Sequence, residues 1–111
     1  MKNVMIMHAP TMGRGCDELG QKLIGVFFKK LWSNPDKPDA IIFYNESVRL
    51  LTKEGGCVEA LHGLEEAGVD LVACGTCINH FDIAEDVQVG RVSGMEEIVS
   101  LIQGAEKVVT I

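Results

Sequence analysis

The chain has 111 residues, of which 47% are hydrophobic and 23% are charged, so it has the size and composition of one globular domain and not of a disordered segment. Its formal net charge of -6 and its lack of a basic stripe argue against nucleic acids and anionic membrane surfaces as partners. No apolar run approaches the roughly 20 residues that span a bilayer, and no signal peptide is evident, so we expect a cytoplasmic protein.

The first part of the chain alternates a short apolar run with a helical pattern. A buried strand is predicted at residues 3–7, followed by a loop that contains Pro10. A helix is predicted at residues 17–32, because acidic residues begin it, basic residues end it and apolar residues recur at helical spacing. The side chains expected on its buried face are Leu19, Leu23, Val26, Phe27 and Leu31.

The same alternation continues to the end of the chain. A long polar connection is predicted at residues 45–56, and a helix at residues 58–67 ends at Gly68. Ser93 and Glu96 have the spacing of a capping box that begins a last helix. That helix is expected to bury Met95, Ile98, Val99 and Ile102. The remaining strands are predicted at residues 40–44, 69–73, 87–89 and 107–111.

This order of strands and helices predicts an α/β fold. We expect a three-layer α/β/α sandwich around a five-stranded, mostly parallel sheet, with residues 1–111 as a single domain. Sheets of this kind place reactive groups at the carboxyl ends of their strands. All four cysteines follow predicted strands, so they are expected at that edge.

Cys74 and Cys77 are the candidate catalytic residues. Cys74 ends a buried strand, and a glycine turn then leads to a possible helix start, where backbone N–H groups can lower a thiol pKa. The alternative is that the cysteines are small buried apolar residues. The candidate substrate-binding residues at the same edge are Asn45, Gly75, Thr76 and His8.

A metal site is the alternative interpretation of the segment that contains Cys74 and Cys77. Cys74, Cys77 and His80 could supply three ligands, with His8 or Cys16 as a fourth. Structural zinc sites usually contain a second tight ligand pair, which the sequence lacks, so we predict neither a metal nor another cofactor. Cys16 is interpreted as a bystander and Cys57 as a packing residue.

Four segments resemble the DsrE-like C-terminal domain of YedF-type proteins, which are often labelled as selenium-metabolism proteins. They are residues 17–20, 41–45, 71–79 and 89–95. The resemblance implies a DsrE-like fold, a tendency to form oligomers, and a cysteine that carries sulfur as a persulfide. By position that cysteine corresponds to Cys74. The sequence departs from the family pattern at Glu46-Ser47, where a small residue and a glycine are expected, and it lacks the TusA-like domain of YedF.

We therefore interpret the protein as a sulfur carrier or sulfurtransferase-like protein. The thiolate of Cys74 would take sulfur from a donor persulfide and relay it to an acceptor protein, while Cys77 shields or resolves the persulfide. A separate TusA-like protein is a candidate partner. The alternatives are a thiol–disulfide redox protein using the same pair, and a binding module with inert cysteines. Apolar residues near loops predict a homo-oligomer, namely Met12, Phe81 and Ile83.

Overall fold

In a computed structural model, which describes residues 2–111, five parallel strands form one sheet. The strands are β1 at Asn3–Met7, β2 at Ala40–Phe43, β3 at Asp70–Cys74, β4 at Arg91–Ser93 and β5 at Lys107–Thr110. Their order across the sheet is β4-β3-β2-β1-β5. Because the central strands are parallel and in register, with Phe43 opposite Ala73, the connections that follow β2 and β3 begin side by side.

Helices cover both faces of the sheet, which confirms the predicted three layers. The helices are α1 at Asp17–Ser33, α2 at Val58–Glu66, α3 at Gly75–His80 and α4 at Met95–Gly104. Alternate strand residues point to opposite faces. Ile41 and Phe43 pack with α1 and α2 in the larger core, whereas Ala40 and Ile42 pack toward Ile98 of α4 in the smaller one.

The fourth strand lies later in the chain than predicted. Residues 87–89 do not form it: Val87 makes one antiparallel bridge to Thr52, and Val89 is buried in the larger core. The strand begins at Arg91, whose guanidinium donates hydrogen bonds of 2.8 and 2.9 Å to the Asp70 carboxylate and also binds Glu97. An edge strand with a charged, exposed first residue lacks the apolar run from which buried strands are recognised.

Two helices bury different residues from those predicted. In α1 the side chains of Leu19, Leu23 and Val26 are exposed, and Gly20, Ile24 and Phe28 face the core instead. Gly20 allows this face of α1 to pack closely against Thr11, because a Cβ at residue 20 would lie 2.7 Å from the Cβ of Thr11. In α4 the exposed residues include Met95 and Val99, while Ile98 is buried.

The predicted capping box is wrong as well. Gly94 is the N-cap of α4, and the Ser93 hydroxyl donates to the Glu97 carboxylate instead of capping the helix. Residues 45–56 are also more ordered than a polar connection. They form 3₁₀ helices at Asn45–Leu51 and Lys53–Gly55, and the first of these buries Val48, Leu50 and Leu51. Within residues 2–111, no helix is long and apolar enough to cross a membrane.

The contact between α1 and α2 provides a test of the packing. A Cβ on Gly63 of α2 would overlap the Trp32 indole ring. We expect Gly63→Ala to displace the indole and to lower the free energy of unfolding by about 1–3 kcal/mol, as overpacking usually does. Urea denaturation measures this change.

Gly25→Ala is the matched control, since nothing lies within 4 Å of a Cβ at this helical position. Without a clash, alanine is expected to stabilise α1 by about 0.5–1 kcal/mol. A Gly63→Ala variant that gains stability as this control does would contradict the described packing of Trp32.

Candidate functional site: the thiol pair at the carboxyl edge of the sheet

Cys74 and Cys77 lie at the junction of β3 and α3, but they differ in exposure. Cys74 is the last residue of β3, and its side chain is only 1% exposed, packed in the smaller core with Val72 and Ile42. Cys77 is the third residue of α3, half-buried, and contacts both cores. A reagent arriving from solvent therefore reaches Cys77 before Cys74.

The Cys77 sulfur is held by the connection that follows β2. The backbone N–H of Asn45 donates a hydrogen bond of 3.0 Å to its Sγ. Asn45 has a φ of 51°, in the left-handed region that asparagine tolerates better than most residues. The buried Ser47 hydroxyl fixes this turn, because its single proton is shared between the carbonyl oxygens of Met7 and Tyr44. The end of β1 and both neighbouring connections thus position one thiol.

The pKa of Cys77 is raised above its ordinary value. Desolvation is the largest cause, and the neighbouring Cys74 thiol adds to it; the Asn45 N–H opposes both by stabilising the thiolate. At neutral pH this residue is mostly a protonated thiol, and it must lose its proton before it can attack.

A pocket of about 410 Å³ opens over Cys77. Its wall consists of Asn45, Glu46, Thr76, Cys77, His80 and Phe81. The Arg49 guanidinium lies 4.6 Å from the centre of the Phe81 ring and 3.7 Å from the Glu46 carboxylate. The pocket therefore combines one half-buried thiol with an aromatic ring, an imidazole and a neutralised charge pair.

The predicted substrate-binding residues are distributed over two pockets. Asn45 and Thr76 line the pocket over Cys77. Gly75 begins α3 beside Val92 and is not among the lining residues. His8 lies in a neighbouring pocket of about 470 Å³ that shares Asn45 and Glu46 with the first. His8 Nδ1 is 2.6 Å from the Ile111 carbonyl oxygen, which can only accept, so this nitrogen carries the proton.

Three residues of the site were missed as binding residues by sequence reasoning. They are Arg49, His80 and Phe81. His80 had one available signal, since it follows Cys77 by three residues and side chains at that spacing share a helix face. The Arg49–Phe81 stack had no such signal, because it joins two connections far apart in sequence.

The other cysteines lie outside this pocket. Cys16 is exposed at the N-cap of α1, where its Sγ accepts the Leu19 N–H at 3.4 Å. Cys57 is buried, and desolvation raises its pKa. The alternative metal site does not assemble: among residues 2–111, no group of three or more His, Cys, Asp or Glu side chains is close enough to hold an ion.

The chain is similar to known proteins in sequence pattern and in fold. A sequence model of the DsrE/DsrF-like family matches residues 15–111. The solved structures that it resembles include YchN from E. coli, with 15% identity, a TM-score of 0.69 and coverage of 99% of this chain and 98% of that chain. MTH1491 from Methanobacterium thermoautotrophicum has 16% identity, a TM-score of 0.66 and full coverage of both chains, 100% each.

A third structure, BT1422 from Bacteroides thetaiotaomicron, has 16% identity and a TM-score of 0.63, with 99% of this chain and 95% of that chain covered. At these identities the likeness concerns the fold alone. No curated protein matches the sequence significantly.

The raised pKa of Cys77 predicts how its reactivity depends on pH. Because the thiolate is the reactive form, the rate of Cys77 alkylation by iodoacetamide should still increase at pH values where an ordinary thiol is already ionised. Cys74→Ala removes one cause of the raised pKa, so the midpoint should move to lower pH. Alkylation rates read by peptide mass spectrometry measure both midpoints.

Cys16→Ala is the control, since that thiol lies at the start of α1 and should not alter the Cys77 midpoint. A midpoint for Cys77 below that of an ordinary thiol, or one unchanged by Cys74→Ala, would contradict the described environment of the sulfur.

Proposed function

The chain belongs to the DsrE/DsrF-like family, which is associated with sulfur relay in general, and we propose that it is a sulfur carrier whose Cys74–Cys77 pair accepts sulfur as a persulfide and passes it to a partner. The observation that supports this most directly is the half-buried Cys77 thiol, which receives a backbone N–H bond at 3.0 Å and borders an open pocket. A donor's sulfur has room to approach the thiol there.

The two cysteines take different roles in this proposal from those expected from the sequence. Sulfur exchange requires access to the attacking thiol as well as thiolate character. Cys74 is 1% exposed and Cys77 is half-buried. We therefore assign the first attack to Cys77 and the resolving role to Cys74.

The transfer balances without an oxidant. The Cys77 thiol loses its proton, and the thiolate attacks the outer sulfur of a donor persulfide, R–S–SH. The S–S bond of the donor breaks, R–S⁻ leaves and takes up a proton, and Cys77–S–SH remains. An acceptor thiolate then removes the outer sulfur in the same way and restores the Cys77 thiol. Thiol–disulfide chemistry follows the same course of attack and departure.

Proximity of the two thiols favours a second candidate function. Cys74 lies close enough to Cys77 to be one of the causes of the raised pKa of the Cys77 thiol. Attack of Cys74 on the inner sulfur of Cys77–S–SH would form a Cys74–Cys77 disulfide and expel hydrosulfide. The same disulfide would serve a thiol–disulfide redox protein that never carries sulfur. The two functions differ in whether a persulfide is ever formed.

The partners in this proposal are proteins, including a separate TusA-like donor or acceptor and further copies of the chain. Of the residues expected to mark an oligomer interface, Ile83 is buried, and Met12 and Phe81 are partly buried. Exposed apolar side chains occur elsewhere. They are Leu19, Leu23, Val26 and Trp32 on α1, and Val92, Met95, Val99, Val108 and Val109 around α4 and the two edge strands.

Single cysteine variants test the assignment of roles. We expect Cys77→Ser to abolish the gain of one sulfur mass from a persulfide donor, because the accessible nucleophile is lost. Cys74→Ser should still load sulfur but should hold it longer, because the resolving thiol is absent. Intact mass spectrometry before and after reduction measures both effects.

Cys57→Ser is the matched control and should load normally, since Cys57 is buried in the larger core and outside the pocket. Loading that survives in Cys77→Ser and disappears in a folded Cys74→Ser variant would reverse the two roles.

The exposed apolar residues predict that the protein self-associates. Light scattering after size-exclusion chromatography should give a multiple of the 12.1 kDa chain mass at micromolar concentration. Leu23→Lys, which places a charge among exposed apolar residues of α1, should reduce that mass if α1 is part of the interface. A mass of 12.1 kDa for the unmodified chain would contradict the proposed self-association.

A further inference from the structure

His80 lies on the wall of the Cys77 pocket, at the C-terminal end of α3. The pocket lining includes His80 together with Cys77, Thr76 and Asn45. His80 is exposed at the end of the six-residue helix α3 and follows Cys77 by three residues. Residues at this spacing are neighbours on a helix surface, with Cβ atoms about 5–6 Å apart.

The His80 ring packs against one aromatic neighbour and keeps its ring nitrogens available. Its edge packs against the Phe81 ring, with centroids 5.1 Å apart and an interplanar angle of 82°. The Arg49 guanidinium in turn covers Phe81. The rings of the other two histidines are engaged, His8 with the Ile111 carbonyl and His62 with Glu66. Within residues 2–111, no comparable bond occupies a ring nitrogen of His80.

We propose that His80 is the proton-transfer residue of the thiol site, taking the proton from Cys77 as it attacks and returning it to the departing thiol. The inference rests on the proposed function, since it supplies the proton steps of the same sulfur exchange. In the first step the S–H proton of Cys77 passes to an imidazole nitrogen, either directly or through a water molecule from solvent, as it does with other general bases. In the second step the imidazolium protonates R–S⁻, so His80 ends unchanged.

The environment of Cys77 explains why the thiol needs a proton acceptor. Burial and the neighbouring Cys74 raise the pKa of the Cys77 thiol, so a nearby base assists its attack at neutral pH. Histidine is the side chain best suited to accept and return a proton in that range. The charged and titratable groups around the imidazole are Glu46, Arg49 and Cys77, and Asp82 follows two residues later in the chain. Glu46 and Arg49 form a pair and largely offset each other.

The test compares His80→Gln with unmodified protein in two reactions of Cys77. The first is sulfur loading from a small-molecule persulfide, and the second is exchange with symmetric disulfides whose leaving thiols differ in acidity. We expect His80→Gln to slow both reactions about a hundredfold or more at neutral pH, within the usual range for general acid–base catalysis. The loss should be largest for the poorest leaving thiols, and added imidazole should restore part of the rate.

His62→Gln is the matched control, because this exposed histidine lies on α2 and pairs with Glu66. It should react like the unmodified protein in both reactions. Glu46→Gln tests the other acid–base group of the pocket. In this variant, any loss of rate should not depend on the acidity of the leaving thiol. Circular dichroism checks that each variant is folded, and His80→Asn replaces His80→Gln if the latter is not.

The outcomes separate the two proposals. Disulfide exchange that depends on His80 without any sulfur loading would overturn the sulfur carrier and retain the proton-transfer role. Loading and exchange that are both unchanged in the folded His80 variant, in rate and in leaving-group dependence, would overturn the role of His80 alone. A Cys77 that neither loads nor exchanges would overturn both.

Discussion

The hydrogen bond from the Asn45 N–H to the Cys77 sulfur joins the two connections from which the site is built. It depends on the parallel register of β2 and β3, which starts both connections at the same edge of the sheet. It also depends on the left-handed conformation of Asn45 and on the buried Ser47 hydroxyl that ties this turn to β1. The sheet thereby fixes the position of a side chain that belongs to a short helix.

The same arrangement balances two opposing influences on the thiol. Partial burial protects the sulfur from bulk water but raises its pKa, while the Asn45 N–H stabilises the thiolate once it forms. A carrier must hold a reactive sulfur without losing it to every passing thiol. In the proposed carrier, a thiol that is mostly protonated at rest would meet that requirement.

The parts of the fold that were predictable from sequence are those with one dominant physical signal. β1, β2 and β3 are buried, and their sequences are therefore apolar runs that can be recognised as strands. β4 gave no such run, because Arg91 and Val92 are exposed at the sheet edge. In α1 the exposed Leu19 and Leu23 share the helical period of the buried Ile24 and Phe28, so periodicity alone could not identify the core face.

The site was predictable to the level of the sheet edge and no further. Because Cys74, Cys77 and Asn45 follow the ends of neighbouring strands, the sequence predicted that they would lie at one edge of the sheet, and they do. Which cysteine is accessible depends on how the chain turns from β3 into α3, and the Arg49–Phe81 stack depends on a 3₁₀ helix that the sequence did not reveal. Local patterns carry neither kind of information, because both arise from packing between connections distant in sequence.

The central claim is that Cys77 is the thiol that receives sulfur. The most direct test treats the unmodified chain with less than one equivalent of a persulfide donor near neutral pH, blocks the products at once, and locates the added sulfur by tandem mass spectrometry. The account predicts the mass of one extra sulfur atom on Cys77 at the earliest times. Extra sulfur that appears first on Cys74, with Cys77 unmodified, would contradict it.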